Sequence, residues 1–190
     1  MIVTLSGVTG TGKSFFKNVI SQELNFKNLV IVTTRSKRTG EIDGIDKEFV
    51  SEETFEKLKK ENKIVVDFEF LGSKYAYRKE DLNSDANQVT EVHYNTIYEF
   101  KKNAPNIFAI YMVPKDLERA KQELCKRNLP KEVEQKRLKE IDEHIKEYEH
   151  NKELQKQFDY VFVNDYSEKA KNELLEIIRN RRLEQWEEKW

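Results

Sequence analysis

The sequence predicts an α/β fold in which a parallel sheet is covered by helices on both faces, and three observations carry that prediction. Short apolar runs of strand length recur at residues 2–5, 29–33, 89–93, 107–113 and 158–164. Charge-rich stretches with helical spacing separate them. The run at 107–113 is almost continuously apolar, as strands buried on both faces are. In such sheets ligands bind at the carboxyl ends of the strands, and the first of those ends carries the most informative residues of the chain.

After Ile2, Val3 and Leu5 comes Gly7-Val8-Thr9-Gly10-Thr11-Gly12-Lys13-Ser14, which fits G-x-x-x-x-G-K-[ST], a phosphate-binding P-loop. Gly7, Gly10 and Gly12 let successive backbone N–H groups turn inward around a phosphate, and the following helix points its positive end at the same place. Lys13 is expected on the β- and γ-phosphates of a nucleoside triphosphate and the Ser14 hydroxyl on Mg²⁺. A glycine-rich turn could match the same pattern, so the flanks decide: a strand precedes it, and Phe15, Phe16, Val19 and Ile20 recur at helical spacing after it.

The first helix is expected at about 13–24 and a second buried strand at 29–33. Residues 34–46 form a polar loop punctuated by glycines. Ser51, followed by Glu52 and Glu53, has the chemistry of a helix N-cap with an acidic first turn. A strand at 64–70, a turn at Gly72-Ser73 and a short strand from Tyr75 to Tyr77 follow. Then come a central strand at 89–93, a helix at 96–102, the strand at 107–113, helices at 115–126 and 131–157, the last strand at 158–164 and a helix at 167–190. No internal repeat or low-complexity linker interrupts the series, so one domain is expected.

Charges nearly cancel, with 34 Lys and Arg against 35 Asp and Glu, which argues against a general nucleic-acid or membrane-surface binder. The one cysteine, Cys125, cannot form an internal disulfide, zinc cluster or Cys-x-x-Cys pair; it is expected to be a small packing residue on a helix. No apolar run approaches membrane-spanning length, and a loop starting six residues after Met1 leaves no room for a cleavable signal, so a cytoplasmic protein is expected.

The run from Thr33 to Gly44, Thr-Thr-Arg35-Ser-Lys-Arg38-Thr-Gly-Glu41-Ile-Asp-Gly, together with Phe49-Val50-Ser51, resembles the nucleotide-acceptor signature of guanylate kinases. With the P-loop, Tyr75-Ala76-Tyr77, Lys136-Arg137-Leu138 and Val163-Asn164-Asp165, the resemblance covers about residues 2–178. It implies a P-loop nucleoside-triphosphate-binding fold made of a core (1–33, 78–122 and 137–190), an inserted acceptor-binding subdomain (34–77) and a helical lid (123–136). The implied reaction is ATP- and Mg²⁺-dependent phosphorylation of a nucleoside monophosphate, GMP or dGMP foremost. ATP and the monophosphate are the expected partners, in a monomer or homodimer.

The resemblance also implies roles. Lys13, Arg38, Arg127 and Arg137 form the catalytic set, and residues 7–14 bind ATP with Arg127 and Asn164, the latter at the adenine pocket. Arg35 and Arg38 grip the acceptor phosphate, with Glu41 and Tyr75 completing that pocket; arginine forks suit such anions. The bland alternative for Arg35, Lys37 and Arg38 is a solvated loop cluster. Glu91 is either a carboxylate holding Mg²⁺ through water, alongside Ser14, or an ordinary strand-end acid.

Departures concentrate where the family reads guanine. Ile31 replaces a serine, Val66 or Asp67 stands where a glutamate is usual, His93 replaces an aspartate, Lys47 a tyrosine and Tyr77 a small hydroxyl residue. His93 is read either as a base-contacting donor in the acceptor site or as a core or rim histidine; His144 and His150 receive no role. A lid arginine is replaced by Glu123, with Arg119, Lys121 or Lys126 as possible substitutes. Relaxed guanine preference follows. The rival functions are a kinase of another nucleotide or phosphorylated sugar, and a non-catalytic phospho-ligand-binding module; the intact P-loop favours an enzyme. Trp186 and Trp190, four apart, either cap the core or form a subunit contact.

Overall fold

The computed structural model describes residues 1–104, 106–127 and 129–187, the side chains of Trp186 and Glu187 excepted; the reading of the two tryptophans lies outside the described side chains. Strand β1 (Ile2–Gly7) is the centre of a five-stranded sheet of order β2-β7-β1-β8-β9, in which β2 is Lys27–Asn28, β7 Gln88–Glu91, β8 Ile107–Pro114 and β9 Tyr160–Asn164. Every pairing in it is parallel. Strand β1 is buried over its first five residues, which is why its sequence is apolar or hydroxylic without alternation.

Helices cover both faces, as their apolar stripes require. On one, Phe16, Ile20 and Leu24 of α1 (Lys13–Leu24) join Leu174, Leu175 and Ile178 of α8 (Glu168–Glu187) against Val3, Leu5, Ile110, Met112 and Phe162. On the other, Ile97 and Phe100 of α4 (Ile97–Asn103) and Leu154 of α7 (Lys152–Gln155) pack on Ile2, Ala109 and Tyr111. Phe16 is 2% exposed, so truncating it to alanine should cost about 3–5 kcal/mol.

A second sheet of order β4-β3-β6-β5 joins β4 (Glu48–Phe49), β3 (Ile31–Thr33), β6 (Ser73–Arg78) and β5 (Ile64–Phe70), with β3–β4 parallel and the other pairings antiparallel. Phe55 and Leu58 of α2 (Glu52–Lys60) close its apolar face against Val32, Ile64 and Ala76. Ser51 caps α2 by accepting from the Thr54 N–H. Helices α5 (Leu117–Cys125) and α6 (Lys131–His150) lie beside the P-loop, where Leu124 and Ile141 bury Val8.

Several elements differ from expectation. The apolar run at 29–33 contributes its last three residues to the small sheet, while its neighbours Lys27 and Asn28 edge the parallel one. Helix 131–157 is broken at Asn151, whose side chain accepts from the Leu154 N–H and starts α7 anew. Helix α5 starts late because Asp116 caps it, accepting from the Glu118 and Arg119 N–H groups. The turn before β6 is made by Leu71 (φ 52) and Gly72 (φ 73), the left-handed pair of a tight hairpin, so Ser73 already belongs to the strand. A short helix, α3 (Lys79–Leu82), follows β6 where no helix is expected. Cys125 ends α5 exposed and does not pack.

Candidate active site

The P-loop sits between β1 and α1 with no space to spare. A Cβ on Gly7 would lie 2.3 Å from the Met112 carbonyl oxygen, and one on Gly10 2.1 Å from that of Ala120; both glycines have positive φ. Val8 is in the core and the Thr11 hydroxyl is turned back on the Val8 carbonyl, so these two can offer a ligand backbone only. Thr9, Lys13 and Ser14 line the cavity beside the loop.

Asn164 braces the loop from below: its amide donates to the Thr11 carbonyl and its Oδ1 accepts from the Tyr166 N–H, while the Tyr166 hydroxyl donates to the Gly10 carbonyl. The Arg119 guanidinium stacks on the Tyr166 ring, 4.4 Å from its centroid. Lys13 Nζ donates to the carbonyls of Gly7 (2.8 Å) and Val8 (2.7 Å). Burial drives its pKa from 10.5 down to about 8; Arg127 and Arg137 push the same way and Glu91 opposes them.

The P-loop, the segment 35–47 and the α5–α6 region face one cavity of about 1010 Å³. Lys13, Lys47, Arg35, Arg38, Arg119, Arg127 and Arg137 all line it, as do Glu41, Tyr75, Glu91 and His93. Arg137 is drawn below its ordinary pKa by burial, with Arg38 and Arg127 adding repulsion against Glu140. Its buried Nε has no hydrogen-bond partner among the described residues. Cations converging on an open cavity cost energy until an anion arrives.

Glu41 organises the loop that carries Arg35 and Arg38. Its carboxylate takes both oxygens to Arg35 Nη2 (2.7 and 2.9 Å) and also accepts the Arg38 N–H (2.8 Å). Burial would raise its pKa, but these bonds outweigh that and hold it below the usual range.

Part of the cavity wall is aromatic. Phe68 stacks on Tyr75 at 5.3 Å; His93 lies 5.5 Å from Phe70, 6.4 Å from Phe68 and 4.7 Å from Tyr94; His144 meets His93 edge-on at 5.6 Å. The cause is a bulge between Val65 and Phe68, where Val66 takes φ 56. Val66 turns into the core and Asp67 outward to Lys59 at 2.5 Å, so neither reaches the cavity and Phe68 and Phe70 line it instead. Tyr77 is a core residue, wholly buried and donating to the Glu91 carbonyl.

The guanylate kinase family model matches residues 1–181. This chain belongs to the guanylate kinase family. A crystal structure of guanylate kinase from Anaplasma phagocytophilum superposes with a TM-score of 0.71 at 23% identity, covering 95% of this chain and 85% of that one. An uncharacterized protein from Eubacterium ventriosum matches with a TM-score of 0.51 at 11% identity, over 95% and 98% of the two chains. These likenesses carry the fold.

Glu123, where the resemblance expects a lid arginine, pairs with Lys126 at 2.5 Å, and Arg119 and Lys126 both line the cavity. Lys121 is taken by Asp142 and Glu118. Sequence reasoning missed Phe68, Phe70, Tyr94 and His144 as cavity residues. Their only sequence signal is aromatic character at positions spread over three separate segments.

Proposed function

We propose that this protein is a nucleoside monophosphate kinase that uses ATP and Mg²⁺, with GMP or dGMP as the acceptor the family implies and with weakened guanine reading. The observation that supports it is the convergence of Lys13, Arg35, Arg38, Arg127 and Arg137 on one cavity between the P-loop and the acceptor loop. Two polyanions must be brought in line for phosphoryl transfer, and positioning with charge neutralisation supplies most of the catalysis.

In this reading the γ-phosphoryl group leaves the β-phosphate oxygen of ATP and bonds to a phosphate oxygen of the acceptor, yielding ADP and a nucleoside diphosphate. Lys13 and the loop N–H groups hold the donor phosphates, Arg127 and Arg137 neutralise charge at the transferred group, and Arg35 and Arg38, set by Glu41, hold the acceptor phosphate. Mg²⁺ fits the donor set. The Ser14 hydroxyl and Glu91 carboxylate line the cavity, two hard oxygens suited to an ion that keeps waters and phosphate oxygens. No cluster of three or more His, Cys, Asp or Glu side chains exists among the described residues to bind a metal unaided. Bound Mg²⁺ would offset the phosphate charge.

We place the protein in the cytoplasm; among the described residues no helix is long and apolar enough to cross a membrane. A coupled ADP-release assay with Mg-ATP and a panel of ribo- and deoxynucleoside monophosphates tests the activity. ADP formation that requires the acceptor is expected. No acceptor-dependent ADP with any of them refutes the kinase reading.

A further inference from the structure

The carboxyl ends of the parallel sheet divide the cavity into two flanks, with the P-loop between them at the end of the central strand β1. On the β7 side lie Glu91 and His93, and the small sheet meets them there through the Tyr77 hydroxyl on the Glu91 carbonyl and the Phe68 ring beside His93. On the β8 and β9 side lie Arg119 of α5 and Tyr166, just after β9. In the kinase reading the acceptor phosphate sits with Arg35 and Arg38, on the loop that leaves β3 of the small sheet. In-line transfer then sends the donor nucleoside from the P-loop toward the opposite flank.

Asn164, to which the resemblance gives the adenine pocket, is 2% exposed, and its side chain is engaged by the Thr11 carbonyl and the Tyr166 N–H. Arg119 offers that flank a planar surface instead. Its guanidinium lies 4.4 Å from the centre of the Tyr166 ring, and Nη1 donates to the Asp165 carbonyl at 3.3 Å. It forms no ion pair among the described residues, whereas Glu123, one turn later on the same face of α5, is tied to Lys126. Arg119 is exposed and lines the cavity, so the guanidinium face turned away from Tyr166 is open to a second ring.

The seat of that guanidinium is fixed to the phosphate loop. Tyr166 takes φ 62, a left-handed conformation that a side chain holds only where its surroundings impose it. Here its N–H is bonded to Asn164 Oδ1 at 2.8 Å and its hydroxyl to the Gly10 carbonyl at 3.0 Å. Ala120, next to Arg119, is wholly buried with its carbonyl against Gly10, 2.1 Å from where a Cβ there would lie. Both supports of the guanidinium thus converge on Gly10, so a nucleotide whose phosphates rest on the loop meets a surface already in position, which lowers the ordering cost of binding.

Resting on the kinase reading, we propose that Arg119 is a donor-binding residue whose guanidinium, seated on Tyr166, stacks on the base of the nucleoside triphosphate. Tyr166 is the positioning residue that holds it there.

The test titrates two probes calorimetrically in the presence of Mg²⁺, a non-hydrolysable ATP analogue and inorganic tripolyphosphate, which shares the phosphates and lacks the base. Arg119→Ala and Arg119→Lys should each raise the Kd of the ATP analogue about tenfold, since lysine keeps the charge but not the plane. The Kd of tripolyphosphate should stay as in the wild type, which also shows that the variants fold with the P-loop intact. Tyr166→Phe, which keeps the ring, should retain most of the base-dependent affinity, and Tyr166→Leu should lose it. Equal weakening of both probes in Arg119→Ala, with recovery in Arg119→Lys, overturns the proposal by making Arg119 a phosphate ligand. Unchanged affinity for the ATP analogue in both Arg119 variants overturns it outright, and unchanged affinity in Tyr166→Leu overturns the role of the seat. Binding of neither probe to the wild type overturns the kinase reading and the proposal together. The expected pattern of affinities in a protein without turnover refutes the kinase reading alone and upholds the base contact.

Discussion

Replacing Lys13 by methionine separates what the loop lysine costs the folded chain from what it does for a ligand. Its ammonium rests on two carbonyls, yet its pKa falls from 10.5 to about 8 through burial and through Arg127 and Arg137. At about 1.4 kcal/mol per unit, that fall makes the charged form at most about 3 kcal/mol less favourable than in water. Methionine keeps the length and removes the charge, while forfeiting two hydrogen bonds of about 1 kcal/mol each. The two effects nearly cancel. Lys13→Met is therefore expected to match wild-type stability at pH 7 within about 1–2 kcal/mol, while acceptor-dependent ADP release falls by about a hundredfold or more.

The pH dependence carries the sign. The folded pKa lies below the unfolded one, so between about pH 8 and pH 10.5 the unfolded chain holds more protons and wild-type stability rises with pH. Urea denaturation of both proteins at neutral and alkaline pH should show the wild type gaining on the variant by up to about 3 kcal/mol across that window. A gap that stays constant with pH, or a variant several kcal/mol less stable at pH 7, would refute the picture of a strained charge awaiting an anion and make Lys13 a structural strut.

Gly10→Ala puts a Cβ 2.1 Å from the Ala120 carbonyl oxygen at φ +89 and should cost about 2–4 kcal/mol, seen as a fall in Tm of about 5–15 °C. Gly44→Ala, with nothing within 4 Å, should cost only about 1 kcal/mol; similar calorimetric melting of the two variants would show that the loop is not wedged against α5. Arg38→Ala should raise the acceptor KM about tenfold or more with little change for ATP, because its proposed partner is the acceptor phosphate; equal rises for both substrates contradict that placement. Acid should destabilise the fold through His93, whose folded pKa of about 4 lies below the ordinary 6.5. The unfolded chain then binds more protons as pH falls through that window, and up to about 3 kcal/mol is lost. His93→Gln should flatten that slope in acid denaturation monitored by circular dichroism, and an unaltered slope would assign the acid sensitivity elsewhere.

Features encoded in contiguous residues are legible in the sequence alone. The P-loop needs positive-φ backbone at Gly10 and Gly12 next to Lys13 and Ser14, and all of that lies within eight residues. The alternation of buried strands and amphipathic helices is likewise local, and it implies the parallel sheet. Glu41 is named in the sequence only through the resemblance, and its bonds to Arg35 and Arg38, six and three residues away, come from the fold of that loop.

What the sequence by itself determined, then, is the P-loop and the α/β class, since each rests on short-range backbone geometry or on the period of apolar residues. Which sheet receives residues 31–33 was decided by tertiary pairing, because a short apolar strand is equally content beside β7 or β6. Cys125 has the character of a packing residue, but the end of α5 leaves its side chain in solvent. The aromatic wall was likewise decided only in three dimensions: Phe68 and Phe70 reach it through the bulge at Val66, Tyr75 from the next strand, His93 and Tyr94 from the turn after β7, and His144 from α6. Apart from His93 on Tyr94, the ring contacts of that wall join residues separated in the sequence, Phe68 with Tyr75 and with His93, Phe70 with His93, and His144 with His93 and Tyr94. Stacking depends on where separate elements come to rest, and that is fixed by packing of the whole core rather than by any local run of residues.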